Sequence, residues 1–151
     1  MYRYMLITAF AVAGCTAAPD SSRTKDDSDA KDASSRLASL EFVRTGRNNS
    51  GKELHFKLTN QSKTPICYSG YSPTYLRSQI QKLSPAGWKD WSSDWCGTGA
   101  QDYWVEPGGF VEFFITLPND PGPIRLGIYC LPKDSDQGET IWTRRLDPWS
   151  L

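Results

Sequence analysis

Leu54-His55-Phe56-Lys57-Leu58 puts an apolar side chain at every second position, the period of a strand buried on one face. The same alternation recurs from Leu37 onward in short stretches divided by Gly, Pro, Asn and Asp. It predicts strands over 39–45, 53–60, 66–69, 75–83, 88–92, 102–105, 110–117, 124–131 and 140–146. Asn48-Asn49-Ser50-Gly51 and Ser84-Pro85-Ala86-Gly87 read as hairpin connections, and Glu106-Pro107-Gly108-Gly109 as a further turn. After that turn, Val111, Phe113, Ile115 and Leu117 share one face while Phe110 and Phe114 share the other. A strand apolar on both faces is expected at the centre of a sheet. No stretch shows a sustained helical period and no segment repeats. The expected fold is an all-β antiparallel sandwich over residues 37–151.

The chain before Leu37 is built differently. Residues 16–36, TAAPDSSRTKDDSDAKDASSR, contain no large apolar or aromatic side chain and so bury too little to offset the entropy of ordering. They are expected to form a disordered tether averaging about 25 Å end to end. Upstream, Arg3 precedes the uncharged run Met5 to Ala13, which falls short of the ~20 residues a spanning helix needs. A positive residue followed by a short apolar run is the pattern of an export signal. Its last residues, Val12-Ala13-Gly14-Cys15, resemble a bacterial lipobox. The resemblance implies a signal peptide over 1–14, acylation of Cys15 and a lipidated linker over 15–36. Thr16 after the cysteine, by the same resemblance, implies the outer membrane where the organism has one.

Charge and composition narrow the classes. Lys plus Arg and Asp plus Glu both number 17, so no net field draws in nucleic acid. There is one histidine, His55, and the alternation sets it on the polar face of its strand with Lys57 and Thr59. The acidic run Asp26, Asp27, Asp29 and Asp32 lacks the glycine and glutamate of an EF-hand loop, and the cysteines form no CxxC pair. No metal, cofactor or catalytic constellation is expected, and the chain reads as a non-enzyme. With Cys15 acylated, three thiols remain, and an exported domain favours one disulfide among them. Three pairings are open. Cys67 and Cys130 lie in apolar strand contexts and are the preferred pair; Cys96, in the glycine-rich turn Trp95-Cys96-Gly97-Thr98-Gly99, is left as the free thiol.

Trp88, Trp91, Trp95, Tyr103 and Trp104 crowd one segment together with Asp90, Asp94 and Asp102. Rings beside carboxylates suit sugar binding, because flat apolar faces stack on pyranoses while carboxylates accept hydroxyl hydrogen bonds. The competing expectation is that Trp91, Trp95 and Trp104 fill the core. Candidate ligand residues are Trp88, Asp90, Trp91, Asp94 and Tyr103, with Trp88 and the acids on the strand face opposite Trp91.

Gly70-Tyr71-Ser72-Pro73, Trp95-Cys96-Gly97-Thr98-Gly99, Glu106-Pro107-Gly108 and Arg125-Leu126-Gly127-Ile128 together resemble a family of small uncharacterised bacterial proteins, many of them exported. That resemblance covers about residues 38–147 and implies an immunoglobulin-like sandwich with no assigned activity. It also implies that the cysteine of the turn stands without a fixed partner, as proposed for Cys96. Asn60 to Pro65 is loosely similar to secreted protease-inhibitor-like domains. The leading expectation is a lipid-anchored envelope module that contacts a protein, with glycan or peptidoglycan binding through 88–104 as the alternative and protease inhibition as a third.

Overall fold

The computed structural model describes residues 37–92, 98–117, 122–148 and 150–151. The expected signal peptide, Cys15 and tether lie outside the described residues, as do Asp94, Trp95 and Cys96.

Ten strands are formed among the described residues: Ala38–Asn48 (β1), Gly51–Asn60 (β2), Ile66–Ser72 (β3), Tyr75–Leu76 (β4), Gln79–Ser84 (β5), Gly87–Ser92 (β6), Gln101–Val105 (β7), Phe110–Leu117 (β8), Ile124–Pro132 (β9) and Glu139–Trp142 (β10). They make an all-β fold of two antiparallel sheets. The smaller runs β1-β2-β8. In the larger, β3 pairs with β7, β4 and the end of β9; β9 in turn pairs with β5 and β10, and β6 adds to β5.

Alternation explains why these segments form sheets that meet. Leu54, Phe56 and Leu58 of β2 and Leu117 of β8 are wholly buried, as are Ile124, Leu126, Ile128 and Cys130 of β9. Side chains of both sheets, including Ile66, Tyr68 and Ile141, join one core cluster. Phe56 stacks on Phe113 with centroids 5.7 Å apart and meets Phe42 edge-on at 6.0 Å. At about 25 cal/mol per Å² of apolar surface removed from water, this cluster is the dominant source of stability.

Three expectations about the strands are corrected. β8 is an edge strand among the described residues, pairing only with β2. Its outer aromatics, Phe110 and Phe114, stay exposed and are flanked by Lys57 and His55 of β2. The single strand expected over 75–83 is split at Arg77 and Ser78 into β4 against β3 and β5 against β9. The last strand ends at Trp142, but the chain keeps following β9: Thr143 Oγ1 accepts from the Leu126 N–H at 3.0 Å, and Leu146 exchanges both backbone bonds with Ile124.

Asn60 closes the end of β2. Its own N–H and C=O bond the 106–109 turn, receiving Gly108 N–H and donating to the Gly109 carbonyl, each at 3.0 Å. Gly108 has φ 72°, a conformation that side-chain-bearing residues rarely adopt, so this turn depends on glycine there.

Candidate functional site

Among the described candidates, the crowded aromatic segment does not form one surface. Trp91 packs against the core cluster. Tyr103 does so too, stacked on buried Tyr68 at 5.8 Å. Trp88 and Asp90 lie on the opposite, outer face of the larger sheet. A bulge between Ile80 and Gln81 sets the register that puts Gln81 opposite Asp90 and Leu83 opposite Trp88. The expectation of Trp104 in the core is corrected as well: it is 51% exposed on β7, opposite Cys67. Ile66 pairs with Val105 in the core, so the next residues along, Cys67 and Trp104, face outward.

The preferred disulfide is not formed; Cys67 and Cys130 are both buried free thiols. Register gives the reason. Cys67 lies opposite Leu131, one residue out of step with Cys130. Opposed residues share a face and neighbours alternate, so the two sulfurs leave their strands on opposite sides of the sheet. Cys130 belongs to the core cluster and Cys67 does not. Burial pushes the Cys130 thiol up to about 12, with the Cys67 and Glu139 charges adding to it. Burial, with the Asp102 charge, also raises Cys67. Neither thiol is activated toward nucleophilic chemistry.

On the outer face, Trp88 and Asp90 join residues that sequence reasoning did not connect to them. The Arg125 guanidinium lies 4.4 Å from the Trp142 ring centroid and 4.9 Å from that of Trp88, within cation–π range of both. Arg125 Nε donates to Gln81 Oε1 at 2.8 Å. Gln81 and Gln79 donate their side-chain amides to Asp90 Oδ1 at 3.0 and 2.8 Å. Those two hydrogen bonds hold the Asp90 carboxyl below the usual carboxylate range. Trp142 and Arg125 were missed because they lie 54 and 37 residues beyond Trp88 and meet it only through strand pairing.

A second surface lies on the smaller sheet. Phe110 and Phe114 project from the outer face of β8, 57% and 43% exposed, and Val43 stands out at the β1 bulge between Phe42 and Arg44. Lys57 sits over the Phe110 ring at 4.1 Å, and the His55 ring lies 5.6 Å from that of Phe114. His55 is on the polar face of β2, its Nε2 3.1 Å from Glu53 Oε2. Among the described residues, no three His, Cys, Asp or Glu side chains gather as a metal site, and no helix is long and apolar enough to cross a membrane.

No known family matches the chain, and no curated protein does. Among solved structures it is similar to Northeast Structural Genomics Consortium target SoR45, over 72% of this chain and 80% of that one, at 8% identity and a TM-score of 0.34. The likeness is a weak one between folds. The chain's own strand pairing shows an all-β domain of two antiparallel sheets.

Proposed function

We propose that the chain is a lipid-anchored cell-envelope module, an immunoglobulin-like sandwich on a flexible tether, that binds a protein partner through the outer face of β8. The observation that carries this reading is the pair Phe110 and Phe114, two large apolar rings exposed on the same face of an edge strand. They are four residues apart, so both project from one face about 13 Å from each other along the strand, with Glu112 between them. Exposed aromatic rings set among polar groups are the composition of protein-binding surfaces. Here the polar groups are Glu112 between the rings and Lys57 and His55 against them. The lipobox-like run ending at Cys15 supplies the anchor, and segment 16–36 supplies the reach.

The test is purification of the full-length chain from membranes after mild crosslinking. Wild type is expected to carry a defined partner that the Phe110→Ser/Phe114→Ser variant loses while remaining folded. Equal recovery with both proteins would refute the assignment of this face. A Cys15→Ser variant is expected in the soluble export fraction; partition identical to wild type would refute the anchor.

A further inference from the structure

On the outer face of the larger sheet two aromatic rings lie against glycine backbone. Along β9, Ile124, Leu126, Ile128 and Cys130 are wholly buried, so Arg125, Gly127 and Tyr129 line the outside. Trp142 pairs with Gly127 across the sheet. A Cβ at Gly127 would lie 2.7 Å from Trp142 Cζ3 and 2.8 Å from Cε3, so the indole rests where a side chain would stand. A Cβ at Gly138 would lie 2.6 Å from both Cζ and Oη of Tyr129, so the phenol is laid across that residue in the same way. Tyr129 is nonetheless 55% exposed. Trp88 extends the row beyond Arg125.

We propose that this face, from Tyr129 through Trp142 to Trp88, is a binding platform for a neutral oligosaccharide chain. Its charges are matched internally. The Arg125 cation is held against two indoles, and Asp90 is linked to it through Gln81. A charge-balanced face offers no field to an anionic lipid or nucleic acid, and is complementary to an uncharged polyol. Aromatic rings on an outer sheet face offer apolar surface to the C–H faces of pyranoses. Both glutamine amides land on Asp90 Oδ1, so Oδ2 is the acceptor left for a sugar hydroxyl. The site is separate from the β8 surface and does not rest on the protein-binding reading.

The experiment titrates the full-length chain with two neutral probes, an N-acetylglucosamine tetrasaccharide and a glucose tetrasaccharide, read by tryptophan fluorescence and calorimetry. Saturable binding of at least one probe is expected. Tyr129→Ala should weaken it by about tenfold, the loss of one stacking contact, without changing the circular dichroism or the melting temperature. Trp88→Ala should weaken it comparably, and Phe114→Ser should leave it unchanged. No saturable response to either probe would overturn the proposal. So would binding that Tyr129→Ala and Trp88→Ala both leave intact. Loss of partner recovery in the β8 variants with sugar binding retained would separate the two surfaces.

Discussion

Asn60 Nδ2 donates to the Val105 carbonyl at 2.9 Å, joining the end of β2 in the smaller sheet to the end of β7 in the larger. Asn60 is wholly buried, yet each of its side-chain polar atoms is used. Nδ2 also donates to the Thr64 carbonyl at 2.8 Å, and Oδ1 accepts from the N–H and hydroxyl of Ser62, each at 2.8 Å. One amide therefore fixes the 61–65 loop and ties the sheets at a single corner.

Asn60→Ala should destabilise the domain by about 3 kcal/mol, because it removes two donors from buried or half-buried carbonyls and leaves a small void. Asn60→Asp should be no better, since a carboxylate cannot donate to those carbonyls. Ser62→Ala should cost about 1 kcal/mol. Urea unfolding of the three variants checks the order; an Asn60→Ala protein within about 0.5 kcal/mol of wild type would refute the role given to this residue.

Gly127→Ala tests the ring resting on β9. Gly127 has ordinary strand geometry, so backbone strain is not at issue; the obstacle is the space held by Trp142 and by Thr140 Cγ2, which a Cβ would approach to 2.8 Å. The indole must lift and give up its place beside Arg125. The expected cost is about 1–3 kcal/mol with a red-shifted tryptophan emission. An unchanged spectrum and melting temperature would show that the ring is not held there.

Much of this fold was legible as alternation. β2, β8 and β9 carry apolar residues at every second position, and their limits fall within about three residues of those expected from the sequence. The split of Trp88 from Trp91 followed from the same rule. What alternation along one strand does not encode is which strands become neighbours. Phe110 and Phe114 made β8 read as central, whereas the chain leaves it at an edge with Lys57 and His55 against the rings. Cys67 and Cys130 looked alike in local context, and only the offset between β3 and β9 puts them on different faces. Trp142 and Tyr129 lay outside the crowded segment, and the signal that could have found them was a glycine beside each ring's position, Gly127 and Gly138.

The thiol chemistry follows from that offset. Peptide mapping under non-reducing conditions should find no Cys67–Cys130 bridge, and dithiothreitol should not lower the melting temperature through that pair. In the folded protein at neutral pH, Cys130 should be alkylated only as fast as the domain opens. A bridged peptide, or rapid labelling of Cys130, would contradict the structure.

Alkaline pH should weaken the fold. Cys130 is raised from 9.0 to about 12 and Tyr68 from 10.0 to about 12, chiefly by burial. Both groups are protonated in the folded and unfolded chain below pH 9.0, so their contribution is complete there. Above it the unfolded chain releases protons that the folded chain keeps, and stability falls as pH rises toward about 12. The urea midpoint should be lower at about pH 10.5 than at about pH 7.5, and Cys130→Val should flatten the early part of that decline. A midpoint that rises with pH across this range would refute the burial of these groups.

The proposed anchored module would meet its protein partner through β8. The most direct measurement places a photo-crosslinking residue at Glu112, between Phe110 and Phe114, in the membrane-anchored chain, with a second probe at Lys89 on β6 as a control. One discrete protein adduct is expected from position 112, absent from position 89, and abolished when Phe110 and Phe114 are changed to serine. No adduct at 112, or the same adducts at both positions, would contradict the proposal.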